Sequence, residues 1–164
     1  MQPTATSSRA LFVSVGLMAA IIVAASAAAC DDTTAPGPPT FVASLDGASE
    51  VPAKAVAGTG MATIVKNGST YTYTITYSGM SGPLTGAHIH GPASATTNAL
   101  VIVPFDVSGA GASGTLTGTF ASTNDVTISN DSLDVLMRTG GAYVNLHTGA
   151  NAGGEIRGQL SQQQ

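Results

Sequence analysis

His88 and His90 stand two residues apart in AHIHGPA (87–93), and the third histidine, His147, lies in YVNLHT (143–148). On a β-strand, residues two apart point to the same side, so His88 and His90 share one face while Ala87 and Ile89 take the other. The same alternation sets Tyr143, Asn145 and His147 against Val144 and Leu146. A hairpin loop over 148–154 then lays His147 beside Glu155, Asn145 beside Arg157 and Tyr143 beside Gln159. It leaves Val144, Leu146, Ile156 and Leu160 on the core side. If the two polar faces meet, three imidazoles can converge on one copper or zinc ion and leave a coordination position open. In that arrangement Glu155 is either a further ligand or the acceptor that fixes an imidazole tautomer, supported by a polar network of Tyr143, Asn145, Arg157 and Gln159.

The same residues admit two plainer readings. The histidines can hydrogen-bond backbone and loops while Glu155 and Arg157 pair to hold the hairpin, or the polar face can be an ordinary solvated surface. Burial of Arg157 requires Glu155 or a similar partner, because an unpaired buried charge is costly. No catalytic residue is assigned. The sequence has no nucleophile elbow around a serine, and the glycines between 108 and 118 lack the following helix and lysine of a phosphate cradle. Asp131 and Asp134 suit the start of a short helix, and Asp46 and Glu50 flank a loop without an assigned role.

The elements that must position these groups follow from period-two patterning. FVASL (41–45) and GMATIV lead to Asn67-Gly68, whose positive-φ tolerance predicts a tight hairpin. In the returning STYTYTITYSG, Tyr71, Tyr73, Ile75 and Tyr77 share one face and four threonines the other. GAHIH (86–90), ALVIVPF (99–105) and GTLTGTF are further strands, with Pro104 expected at an edge or strand end. NDSLDVLMRTGG is the one helical segment, with Leu133, Leu136 and Met137 at helical spacing, caps among Asn130 to Ser132, and Gly140 and Gly141 ending it. Seven or eight strands and one short helix predict an all-β fold, an immunoglobulin-like Greek-key β-sandwich or barrel.

Ahead of this domain the composition changes. Residues 1–9 carry Arg9 and no acid, and positions 10–29 are uncharged and largely apolar, which describes a signal peptide over 1–29. Cys30, the only cysteine, follows Ala27, Ala28 and Ala29 and precedes a proline-rich polar stretch. This boundary resembles a bacterial lipoprotein signal, which implies a lipid on Cys30, a tether over 30–39 and a domain over 40–164. Ala27 stands where that signal usually has Leu. The alternatives are an uncleaved membrane anchor or ordinary secretion, and all three place the domain outside the cytoplasm. Beyond the leader, four basic residues face nine acids without forming a basic patch, which argues against a nucleic-acid partner.

LDGASEVP (45–52), YTYTITYSGMSGPLTGAHIHGPA (71–93) and YVNLHTGANAGGEIRGQL (143–160) together resemble the CHRD domain, the module named after chordin. The resemblance implies an immunoglobulin-like β fold and a role outside the cytoplasm, and it brings no established enzymatic activity. The expectation is a non-enzymatic binding or structural module of the cell envelope, its partner the membrane through the N-terminal lipid and an envelope or extracellular protein or glycan, or else a purely structural role. The His88–His90 pair is also similar to the metal strand of Cu/Zn superoxide dismutase. That enzyme uses more histidines and a disulfide, so the similarity implies at most a lone copper or zinc site here.

Overall fold

The computed structural model describes residues 37–121 and 128–163. The expected signal segment, Cys30 and the first part of the tether lie outside the described residues. Among these residues nine strands form one antiparallel sheet: β1 (Thr40–Asp46), β2 (Thr59–Asn67), β3 (Thr70–Ser78), β4 (Leu84–His90), β5 (Val101–Pro104), β6 (Gly114–Ala121), β7 (Tyr143–Thr148), β8 (Ile156–Gln159) and the two-residue β9 (Ser161–Gln162). The order is β5-β4-β7-β8-β1-β2-β3-β6, with β9 pairing to β1. The all-β class is as expected, and the count exceeds the expected seven or eight because β9 is a short addition beside β1.

Local sequence explains most of this architecture. Gly68 takes φ +64° at the β2–β3 turn, and β3 buries Tyr71, Tyr73, Ile75 and Tyr77 while its threonines face outward. Pro104 ends the edge strand β5, where its missing N–H costs no ladder bond. The two ends of the sheet meet across the interior, which curls it into a barrel-like body. Phe105, just after β5, places its ring 4.4 Å from Tyr73 of β3 and 6.2 Å from Phe120 of β6. Tyr73 lies over Gly118, whose missing Cβ leaves room for the phenol ring.

The helix α1 (Asn130–Arg138) buries Leu133 and Met137 in the core. Its cap is Ser129, whose side chain accepts from the Ser132 N–H, one position ahead of the expected caps. Asp134 pairs with Lys66 at 3.4 Å and Arg138 at 2.8 Å rather than serving the helix start.

β7 is buried on both faces. Val144 and Leu146 point into the core, and the opposite, polar face is roofed by the β1–β2 loop (47–58) and the β4–β5 loop (91–100). Asn98 Nδ2 donates to Val51 O at 2.8 Å and ties the two loops together.

Candidate metal centre

The hairpin register is the one expected: Tyr143 pairs with Gln159, and Asn145 with Arg157. Across the other edge of β7, Gly86 pairs with His147, His88 with Asn145 and His90 with Tyr143. All three histidines therefore lie on the roofed polar face. One ligand nitrogen from each lies within 4.8 Å of the other two.

Each ring has a distinct setting. His90 Nδ1–H donates to Ala99 O at 3.0 Å, and its Nε2 is buried without a partner. His147 Nδ1–H donates to Ala152 O at 3.0 Å, leaving Nε2 with its lone pair. Backbone carbonyls thus set both rings in the tautomer that presents Nε2 for ligation. His88 is half-buried and reaches His147 Nε2 from its own Nδ1 at 3.1 Å. It can do so because the residue two before it on the same strand face is glycine: a Cβ on Gly86 would fall 2.9 Å from His88 Cε1.

Burial pushes all three imidazoles below their ordinary range, His88 to about 4 with further lowering from His147 and His90. They are neutral at pH 7, the form that ligates, so binding displaces no ring proton. Two nitrogens bound to one ion at about 2.0–2.1 Å can be no more than about 4 Å apart. Closing the cluster on an ion would take a side-chain movement of about 1 Å. His88, the ring with no carbonyl anchor, is the one free to make it.

A stacked column supports the rings. His90 lies on Tyr143 with centroids 4.9 Å apart and planes 5° off parallel, and the Arg157 guanidinium carbon sits 3.5 Å above the Tyr143 centroid. Arg157 donates to Ser94 O, Thr97 O, Asn98 Oδ1 and Gln159 Oε1, which holds the β4–β5 loop over the site. Gln159 adds bonds to Ala93 O and Gly140 O. Tyr143 Oη accepts from the Ala99 N–H, steadying the segment whose carbonyl anchors His90.

Two expectations are corrected. Glu155 neither contacts the rings nor pairs with Arg157. Its carboxylate accepts from Ser81 N and Oγ, Thr148 Oγ1 and Asn151 Nδ2. The residue follows the last residue of β7 by a tight loop, so it turns toward the 79–84 segment and pins the hairpin there. The tautomer-fixing acceptors are the Ala99 and Ala152 carbonyls, which no residue type advertises. The charge that shares the layer with Arg157 is Glu50 instead. It is 5% exposed, and its carboxyl meets the Asn145 side chain. Sequence reasoning placed Glu50 in a loop; its position inside the LDGASEVP block was the available signal.

No curated protein matches the chain. The model of the CHRD domain family matches residues 41–160, which run from the second residue of β1 to just past β8 and include every residue of the three-histidine layer. This chain belongs to the CHRD domain family.

Proposed function

We propose that this chain is an exported CHRD module that holds one copper or zinc ion on His88, His90 and His147. One observation carries the reading: His90 and His147 are anchored through Nδ1 so that their Nε2 atoms face the cluster, and the buried His90 Nε2 has no partner within the protein. A buried acceptor is rarely left unsatisfied, and a metal ion satisfies it. His147 Nε2 meets only another imidazole, His88 Nδ1, so its lone pair also lies within the cluster. Elemental analysis of protein made without a histidine tag is expected to give about one copper or zinc ion per chain, lost in His147→Ala. Less than about 0.1 ion per chain after loading with either metal would sink the reading.

The position of the module supports a second part of the proposal. The Arg9 start, the apolar stretch to Ala29 and Cys30 ahead of a proline-rich tether suit export and lipid attachment at Cys30. Two or three acyl chains hold a protein at a membrane where one is marginal. Fatty-acid labelling is expected to mark the wild-type chain and not Cys30→Ser, which moves to the soluble fraction. Equal labelling of both would exclude Cys30 as the lipid site.

A further inference from the structure

Of the five buried side-chain atoms without a hydrogen-bond partner among the described residues, three belong to the layer around the histidines: His90 Nε2, Asn145 Oδ1 and Glu50 Oε1. The first is accounted for by the metal ion. The other two are oxygens, and they require a donor.

Their placement shows which donor fits. Asn145 lies two residues from His147 on the same strand face and directly opposite His88 in the register. Side chains so paired across antiparallel strands have Cβ atoms about 4.5–5.5 Å apart. Its amide meets the Glu50 carboxyl from the roofing loop, and both groups crowd the space beside Gly154. A Cβ on Gly154 would fall 2.6 Å from both Asn145 Oδ1 and Glu50 Oε1, and the φ of +121° there suits glycine. The absent Cβ thus gives the Asn145 amide and the Glu50 carboxyl room to pack against the backbone, on the strand face that carries the histidines.

Charge points the same way. Glu50 is almost fully buried, and among the described residues it has no ion pair within 4.0 Å. Arg157 and Lys54 act on it electrostatically and the Val51 backbone and Asn145 side chain hydrogen-bond to it, but burial outweighs them, and Arg157 spends its donors on the β4–β5 loop and Gln159. A buried carboxylate without a close cation is strongly disfavoured. A metal ion on three neutral imidazoles brings the missing positive charge, and a water in its open position brings the missing donor.

We propose that Glu50, with Asn145, completes the metal centre from outside the ligand set. The two side chains accept hydrogen bonds from a metal-bound water, and the Glu50 carboxylate balances the charge of the ion. This rests on the three-histidine reading and adds to it a fourth, exchangeable oxygen ligand and a positioning residue on a different loop. The centre then takes small oxygen-donor ligands in place of that water.

The full chain and its Glu50→Gln variant, each loaded with zinc or copper and competed with a chelator, test the assignment. Zinc and copper affinities are expected to fall about 10–100-fold in Glu50→Gln, while the melting temperature of the metal-free variant is unchanged or raised. A purely structural Glu50 would reverse this pattern, lowering metal-free stability and leaving affinity within twofold, and that result would overturn the proposal. Should the variant not fold, a crystal structure of the zinc-loaded wild type decides. An oxygen ligand hydrogen-bonded to Glu50 or Asn145 is expected, and an ion whose oxygen ligand touches neither overturns the assignment. Metal-free crystals after loading would overturn this proposal and the three-histidine reading together, whereas an ion without the Glu50 link overturns only this one.

Discussion

His88 Nδ1 lies 3.1 Å from His147 Nε2 although the register places Gly86, not His88, opposite His147. The contact is diagonal. It exists because the residue directly across from His147 has no side chain, so the His88 ring can lean over the glycine.

Gly86→Ala is therefore expected to damage the proposed metal centre more than the fold. A Cβ 2.9 Å from His88 Cε1 pushes away the ring that must move to close the cluster. Overpacking at a buried site costs about 1–3 kcal/mol of stability. Metal affinity is expected to drop by at least about tenfold, the scale of losing the geometry of one ligand. Urea denaturation and a chelator competition on the same sample separate the two effects; unchanged affinity would show that His88 does not need the space over Gly86.

Acid should destabilise the metal-free protein through these rings. All three folded pKa values are lowered mainly by burial, and for His88, lowered to about 4, the unfolded chain binds a proton between about pH 6.5 and 4 that the folded chain does not. Stability is therefore full above the unfolded value and falls as pH drops toward the folded one. Glu50, raised by burial, acts in the opposite sense over part of this range, so the comparison between variants isolates the rings. Thermal melts of His88→Gln are expected to depend less on pH than those of the wild type from pH 7 to 4. Parallel curves would refute the assignment.

Arg157 should not tolerate lysine. A lysine keeps the charge but lacks the planar fork that reaches Ser94 O, Thr97 O and Asn98 Oδ1 while lying on Tyr143. Leaving buried carbonyls unpaired costs about 1–3 kcal/mol each, so Arg157→Lys is expected to lose about 2–4 kcal/mol. Hydrogen exchange should quicken across residues 93–100, including the segment that anchors His90. Wild-type protection there would argue against Arg157 as the clamp on this loop.

Glu155→Gln should separate stability from ligation. The carboxylate accepts from Ser81, Thr148 and Asn151, and a glutamine amide turns two N–H donors toward that donor set. A loss of about 2–3 kcal/mol is expected by chemical denaturation. Metal stoichiometry should stay at that of the wild type; its loss without unfolding would restore Glu155 to the ligand set.

Much of this was legible in the residue order. The Thr/Tyr alternation of β3, Asn67-Gly68, the helical spacing of Leu133 and Met137, and the pairing of Asn145 with Arg157 are local properties. Periodicity and turn chemistry act over a few residues, so reading them needs no knowledge of the whole fold. The convergence of His88, His90 and His147 was a conditional expectation, since it depends on β4 and β7 being neighbours.

By itself, then, the sequence determined which residues are strands, which side chains share a face, and that all three histidines fall on polar faces. Tertiary structure decided what those faces do. It buried them beneath the 47–58 and 91–100 loops, turned the Ala99 and Ala152 carbonyls onto the rings, and brought Glu50 to Asn145 while taking Glu155 away. The reason is physical: every residue carries a backbone carbonyl, so residue type cannot single one out as an anchor. Where a loop lands is set by long-range packing, and that packing does not show in the spacing of its residues.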